Sequence, residues 1–258
     1  MSNLVTEQEL DEHGIRVTGP VPQRIPIITY PKFDADCNSL LKKYMTRDIW
    51  SNMKKKSTTR GGNIQLCVKS GVQYPHSKIG IMATDDEAYK TFGDLFGPII
   101  KELHPGFDFR YSYKFDPLET AAIDEQIMSI EESIAKVSDF KIEVNRNFRS
   151  TPFSPLMTKE AKLQVERKVV EVLGDLYGSY TQVKNLKDED CDWIRKTIGF
   201  DPKTTNKEHD AGGINEDWPV GRGVFIQDKK DFMVFVNFEE HLRIVVLPDK
   251  TSDQDNLH

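Results

Sequence analysis

The chain has 258 residues, 38% hydrophobic and 29% charged, with a formal net charge of −6. These proportions are those of a globular protein with a sizeable core, and the acidic balance without a clustered basic face excludes nucleic acid as an expected partner. With neither an 18-residue apolar run nor a signal-peptide pattern, the sequence predicts no membrane association and a cytoplasmic protein.

The cysteines and histidines indicate neither a disulfide framework nor a metal site. The three cysteines have no CxxC spacing, and the six histidines are scattered without HxxxH spacing. We therefore expect reduced thiols and no bound metal.

The first third of the chain has a proline-punctuated start followed by a helical pattern. Residues 1–33 predict an extended lead-in, and residues 34–104 predict a helical domain. Asp34, Thr46 and Asn63 each precede a short apolar-periodic run, as N-cap residues do.

The last helix of this region is predicted to begin with a capping box. Thr84 and Glu87 have the required spacing, and apolar residues mark one face as far as Leu103. The Pro105–Gly106 pair then predicts a domain boundary, which leaves residues 105–258 as a second domain.

Helix and strand patterns alternate in the second domain. Isoleucines at helical spacing predict a helix from Ile123 to Val137, and Thr158 is the expected N-cap of the next helix. The expected buried face of that helix consists of Leu163, Val169, Val170, Leu173 and Leu176. Strands are predicted at IEVNRNF, near SYTQVKNL, and in three runs of GVFIQDKKDFMVFVNFEEHLRIVVL.

Three segments carry a family resemblance. They are YPKFDADCNSLLKKYMTRDIWSNMKKK, continuing through SGVQYPHSKIGIMATDDEAYKTFGDLFGPIIKELH; TPFSPLMTKEAKLQVERKV; and DWPVGRGVFIQDKKDFMVFVNFEEHLRIVVL. In this order they resemble the phosphagen kinases, which move a phosphoryl group between ATP and a guanidino compound. The resemblance implies an α+β fold, with a small all-α N-terminal domain before an antiparallel-sheet domain flanked by helices.

The resemblance also implies site residues. NFEEHLR is similar to the family's NEEDHLR, which makes Glu239 the carboxylate that pairs the guanidino substrate and Arg243 a phosphate-binding arginine. Without the family, the residues favour an exposed ion-pair cluster of Glu239, Glu240 and Arg243 beside a strand. In HSKIGIM, the guanidino-substrate loop corresponds to Ser77, Ile79 and Gly80.

Several positions depart from the family pattern at the substrate sites. Glu143, Val144 and Asn145 stand where the family has Arg-Val-Arg, so charge is reversed, although Arg146 or Arg149 could return a cation to the phosphate. Ile226 replaces a histidine beside the nucleotide.

The guanidino-substrate loop departs as well. Met82 takes a position where arginine kinases have tyrosine. Lys78, at a glycine position, either presents a cation to the site or points to solvent.

The family continues beyond the position of Leu247, where this chain has only a polar tail. The sequence thus predicts a C-terminally short phosphagen-kinase-like protein, catalytically impaired or inactive, acting through binding or self-association. The alternative is an active ATP:guanidino phosphotransferase of the arginine kinase type, using a partner or a reassembled site.

Cofactor and partners follow from these two readings. The active protein would need Mg-ATP, and the inactive one would need no cofactor. The expected partners are a second copy, a phosphagen kinase relative or a guanidino compound, which could bind without being phosphorylated.

Overall fold

The computed structural model describes residues 29–107 and 141–248. The helices are α1 (Leu40–Tyr44), α2 (Arg47–Met53), α3 (Ile64–Gln73), α4 (Ala88–Thr91), α5 (Gly93–Leu103), α6 (Lys159–Leu173), α7 (Asp188–Ile198) and α8 (Lys207–Gly212). The strands are β1 (Ile142–Arg146), β2 (Gly178–Gln182), β3 (Gly223–Gln227), β4 (Phe232–Val236) and β5 (Leu242–Val246). The helix predicted from Ile123 to Val137 lies outside the described residues.

Side-chain caps start the first three helices. Thr46 and Asn63 accept hydrogen bonds from the backbone N–H groups of Ile49 and Leu66, which confirms both predicted caps. The Asp34 prediction is wrong, because Ser39 caps α1. These helices and α5 bury one shared cluster: Leu41, Trp50, Met53, Ile64, Phe92, Leu95, Phe96 and Ile99.

The capping-box prediction at Thr84 is also wrong. The segment forms two helices, α4 and α5, and neither receives a side-chain cap hydrogen bond from its N-cap residue. Thr84 is fully buried. Asp85 instead accepts from the backbone N–H of Ala88 at 2.9 Å and from the Thr58 hydroxyl at 2.6 Å. The capping contact has therefore shifted by one residue, from Thr84 to Asp85, whose carboxylate also accepts from the distant Thr58.

The second part of the described chain forms a five-stranded sheet in the order β1-β5-β4-β3-β2, with every neighbouring pair antiparallel. Helix α6 packs on one face against Phe225, Val234 and Val236. Helix α7 packs on the other face against a set that includes Phe235 and Val245. The expected antiparallel sheet flanked by helices is confirmed.

The buried face of α6 differs from its prediction. Val169 and Leu173 are buried as expected, but Leu176 is 46% exposed. Lys162 and Glu166 are buried in its place, at 1% and 5% exposure. Pattern analysis counts only apolar residues, so it does not identify a charged residue at a core-facing helical position.

Within the described ranges, no helix is both long enough and apolar enough to cross a bilayer.

Candidate functional site

Glu239 lies in the tight turn that joins β4 to β5. The turn begins at Asn237, whose φ is +58° and whose side-chain amide donates to the carbonyl oxygens of Lys162 at 2.9 Å and Gly221 at 2.7 Å. Asparagine tolerates this left-handed conformation better than most residues. The hydroxyl of Ser154 donates to the carbonyl of Glu239 at 2.5 Å. The start and the middle of the turn are thereby fixed.

His241 fixes the end of this turn. It is fully buried. Its Nδ1 accepts from the backbone N–H of Phe148 at 2.9 Å, and its Nε2 faces the carbonyl of Pro152 at 2.8 Å. The imidazole therefore carries its proton on Nε2. Burial lowers the pKa of His241, and the Pro152 carbonyl only partly opposes the shift.

The Glu239 carboxylate projects from the turn with its side chain 49% exposed. His209 of α8 lies beside it, with Nε2 3.8 Å from Oε1. Burial raises the pKa of neighbouring Glu240, and the Glu239 charge raises it further. The turn thus presents two adjacent carboxyl groups, of which Glu239 is the more accessible.

Arg243, the predicted phosphate ligand, is held by an acid of this chain. Its Nε lies 2.8 Å from Glu143 Oε1, and Nη2 donates to Oε2 at 3.1 Å. The β1–β5 register places Asn145 opposite Arg243 and Glu143 one step further along the same face. Both carboxylate oxygens face the Nε–Nη2 edge of the guanidinium, which an arginine would use for phosphate. Only the Nη2 contact has hydrogen-bond geometry, and Nε has no hydrogen-bond partner among the described residues.

Aromatic rings complete the surroundings of Arg243. The guanidinium carbon lies 4.6 Å from the Phe200 ring centroid and 5.8 Å from that of Phe235. Burial works to raise the pKa of Glu143, but the hydrogen bonds and charges of Arg243 and Lys141 outweigh it and lower the pKa. Glu143 is therefore a stable carboxylate at neutral pH.

Arg146 and Arg149, the two other arginines predicted to bind phosphate, are not part of the cluster around Arg243. Arg146 lies opposite Leu242, on the opposite side of the sheet from Arg243. It is exposed and donates to the carbonyl of Asn145 at 2.7 Å. Arg149 is exposed beyond the end of β1. Ile226 packs against the apolar cluster beneath α7. The predicted phosphate role of Arg146 and Arg149 stays a prediction without a supporting contact.

The guanidino-substrate loop is fixed by its own backbone. The carbonyls of Lys78 and Ile79 accept hydrogen bonds from Leu40 and Leu41 at the start of α1, at 2.9 and 3.0 Å. Ser77 is buried, and its hydroxyl donates to Glu208 of α8. Ile79 is 39% exposed. Lys78 is exposed, which favours the solvent-facing reading of this side chain.

Gly80 closes the loop against α3. The backbone N–H of Gly71 donates to the Gly80 carbonyl at 3.1 Å. Gly80 has a φ of +78°, and a Cβ at this position would lie 3.1 Å from Gly71 Cα and from the Cβ atoms of Leu41 and Ser39. Glycine is therefore required both by the backbone conformation and by the close approach.

We expect Gly80→Ala to lower the free energy of unfolding by about 1–2 kcal/mol, because the left-handed conformation and the crowded Cβ both oppose alanine. Urea denaturation measures the change. Gly93→Ala is the matched control, since a Cβ there meets nothing within 4 Å. Equal stability of the two variants would contradict the expectation.

A groove of about 340 Å³ lies beside Glu239. Phe200, Trp218 and Phe238 form its aromatic part, and Asn206, His209 and Asn215 are among its polar lining. Sequence reasoning missed the two α8 residues Glu208 and His209. The stretch NKEHDAGG does carry a helix start at Asn206 and a glycine stop, but nothing in it indicates contact with Ser77 or Glu239.

Two observations bear on Mg-ATP. In residues 29–107 and 141–248, no group of three or more His, Cys, Asp or Glu side chains could hold a metal ion. Arg243, the predicted phosphate ligand, already has a carboxylate partner in Glu143. No step of phosphoryl transfer can be derived from these side chains.

Comparison with known proteins gives two matches to family models, in chain order. "ATP:guanido phosphotransferase, N-terminal domain" matches residues 35–101, and "ATP:guanido phosphotransferase, C-terminal catalytic domain" matches residues 143–253. The arginine kinase of Limulus polyphemus is 33% identical over 219 residues, covering 82% of this chain and 59% of the relative. The arginine kinase of Anthopleura japonica is 34% identical over 234 residues, covering 86% and 31%.

Comparison with solved structures supports the same fold. The duplicated taurocyamine kinase of Schistosoma mansoni superposes with a TM-score of 0.65 at 25% identity, covering 83% of this chain and 31% of that one. A lombricine kinase structure gives 0.70 at 21% identity, covering 85% and 60%, and supports the fold alone.

The fold and both family matches define an ATP:guanidino phosphotransferase-type protein. The chain belongs to the phosphagen kinase family, and the two sequence relatives described above are arginine kinases. It spans less than two thirds of the length of each relative.

Proposed function

We propose that this protein is a cytoplasmic, phosphagen-kinase-like protein that acts through binding or self-association and transfers no phosphoryl group. The observation that carries the proposal is the ion pair between Arg243 and Glu143. Phosphoryl transfer depends on cations that hold the nucleotide phosphates and neutralise the transferred group. Here the carboxylate of Glu143 faces the Nε–Nη2 edge of the Arg243 guanidinium, where a phosphate would otherwise bind.

Displacing Glu143 would be costly for a nucleotide. Glu143 and Arg243 have side-chain exposures of only 27% and 18%, so phosphate would enter beside a partly desolvated like charge. Lys141, at 3.1 Å, would be the only ion-pair partner in the described residues left to Glu143. Loss of one preorganised donor at developing charge costs about 3 kcal/mol of transition-state stabilisation.

The test of this proposal is a calorimetric titration with Mg-ATP, using a full-length arginine kinase as the positive control. We expect no detectable heat from this protein at millimolar nucleotide. Micromolar binding would contradict the proposal and support the alternative, an active ATP:guanidino phosphotransferase of the arginine kinase type with a partner-completed or reassembled site.

Glu143→Gln sharpens the experiment, because the substitution removes the competing charge and leaves Arg243 in place. We expect the variant to bind Mg-ATP detectably at millimolar concentration, at least about tenfold more tightly than the upper limit set by the wild type, which corresponds to roughly 1.4 kcal/mol of removed repulsion. Glu171→Gln is the control, since Glu171 is exposed on α6 and has no ion pair in the described structure. Equal affinities of both variants would show that Glu143 does not block the phosphate position.

The partner in this proposal is a second copy of the chain or a phosphagen kinase relative. Analytical ultracentrifugation over a range of concentrations tests self-association, and a protein that sediments as a monomer throughout would exclude it. The division into a lead-in of residues 1–33, a helical domain of residues 34–104 and a partial catalytic domain of residues 105–258 belongs to the same proposal. Limited proteolysis tests it by locating cleavage near residues 33 and 105.

A further inference from the structure

Strand β2 has one open edge in the described sheet. It pairs with β3 on one side and is the last strand in the sheet order. The carbonyl of Tyr177 accepts from the backbone N–H of Asp228 at 3.3 Å. The backbone N–H of Val183 donates to the carbonyl of Arg222 at 2.9 Å. Because hydrogen-bonding direction alternates along an antiparallel strand, the odd-numbered residues bond to β3. The residues whose backbone groups point to the open edge are Gly178, Tyr180 and Gln182.

This edge lacks the features that keep edge strands from pairing. Edge strands in natural proteins carry charged residues, prolines or bulges that oppose association with another strand. The β2 sequence GSYTQ contains neither a charged residue nor a proline, and its register with β3 has no bulge. In contrast β1, at the opposite edge of the described sheet, carries Glu143 and Arg146. Of the two edges, β2 is therefore the one suited to pairing.

The charges that flank β2 favour a second copy of the same strand in antiparallel orientation. No charged residue lies between Asp175 and Lys184, and both of these are exposed. A twofold axis at Tyr180 would pair Gly178 of each copy with Gln182 of the other, so that all the outward backbone groups are used. The same axis brings Asp175 of each copy to within one residue position of Lys184 of the other. A parallel copy would instead place like charges together.

An exposed aromatic ring lies at the start of this edge. Tyr177 is 85% exposed, and Leu176 beside it is 46% exposed. In the antiparallel arrangement Tyr177 lies opposite Val183 of the second copy. Association across β2 would therefore remove from water an apolar surface that a single copy leaves exposed.

We propose that the β2 edge is a self-association surface, on which a second copy of the chain adds its own β2 in antiparallel orientation to form one continuous sheet. The inference rests on the proposed function, because it names the surface used for the self-association proposed there. An interface of one edge strand and its flanks is small, so the dimer is expected to have a micromolar Kd.

Sedimentation of the full chain over a range of concentrations tests this surface with Gln182→Pro. Gln182 has a φ of −64°, which proline adopts, and its N–H points to the open edge, so the bonds to β3 stay intact. We expect the substitution to raise the dimer Kd at least about tenfold, because it removes an edge donor and adds a ring there. Gln182→Ala is the matched control. It also loses the hydrogen bond from Nε2 to Glu166 but keeps the N–H, so it should dimerise like the wild type.

A charge exchange tests the orientation and the identity of the second strand. Asp175→Lys places a like charge near Lys184 of the other copy and is expected to raise the Kd about fivefold. The double variant Asp175→Lys/Lys184→Asp should restore the wild-type Kd, because it recreates the attraction at both ends of the paired strands. A double variant no tighter than Asp175→Lys would overturn the antiparallel arrangement.

The remaining outcomes distinguish the surface from self-association in general. A dimer that Gln182→Pro leaves intact would overturn the β2 surface and leave the proposed self-association standing. A wild type that sediments as a monomer throughout would overturn both. Hydrogen exchange at the Tyr180 amide adds a local measurement, which should be slow in the dimer and become fast on dilution. Slow exchange in the monomer would show that another segment of the same chain covers the edge, and would overturn the proposal.

Discussion

Replacing His241 with alanine is expected to lower the free energy of unfolding by about 3–4 kcal/mol, measured by urea denaturation at pH 7.5. The substitution leaves the Phe148 N–H and the Pro152 carbonyl without their imidazole partner and opens a cavity beside the stacked Phe148 ring. Each such group costs about 1–3 kcal/mol when it stays unsatisfied. Retention of wild-type stability would mean that the turn holds without His241.

The same residue makes stability depend on pH. The pKa of folded His241 is lowered from 6.5, so below about pH 6.5 the unfolded chain takes up a proton that the folded chain resists. The free energy of unfolding should therefore fall as the pH drops from 6.5 toward the folded pKa. We expect His241→Gln to flatten this part of the profile, whereas His76→Gln, at an exposed histidine, should retain it. Identical profiles for the two variants would contradict the assignment.

Much of the fold was predictable because its causes are local. β-Branched and aromatic runs predicted all five strands, and Thr46, Asn63 and Thr158 act as side-chain caps where expected. The failure at Thr84 has a physical reason. Thr84 is buried close to Gly62, in a cluster where Asp85 and Thr58 also meet, and that tertiary environment overrides the local capping motif.

The candidate site was predictable only where a motif marks it. NFEEHLR located Glu239 and Arg243, but the groups that contact them are distant in sequence. Glu143 is 100 residues from Arg243, and Glu208 is 131 residues from Ser77. Helical or strand periodicity does not extend over such separations. The reversed charge at Glu143 was visible in the sequence, whereas its pairing with Arg243 required the β1–β5 register.

The buried charges of α6 lead to the second large prediction. Lys162 is 1% exposed, and its Nζ donates to the carbonyl of Glu216 and lies 3.8 Å from Asp217 Oδ2. Burial and, next, the charge of Arg222 lower the pKa of Lys162 from 10.5 to about 8. Because the ammonium is still charged at pH 7, the folded state carries a penalty there of about 3 kcal/mol.

We expect Lys162→Met to raise the free energy of unfolding at pH 7 by about 2–3 kcal/mol, since methionine keeps the alkyl packing and removes the buried charge. Between about pH 8 and 10.5 the unfolded chain binds more protons than the folded one, so wild-type stability should rise with pH in this window. The variant should lack that rise. Lys159→Met, at an exposed lysine of α6, should behave as the wild type.

Urea denaturation of the three proteins from pH 7 to 10 decides whether the buried ammonium of Lys162 lowers or raises the free energy of unfolding. If Lys162→Met were less stable than the wild type at pH 7, and wild-type stability did not rise above pH 8, the ammonium would be a net stabilising link to Glu216 and Asp217. The expected gain in stability of Lys162→Met instead means that the buried Lys162 ammonium of α6 destabilises the folded protein. That cation holds the segment before Arg222 in place, and residues 215 and 218 of this segment line the groove beside Glu239.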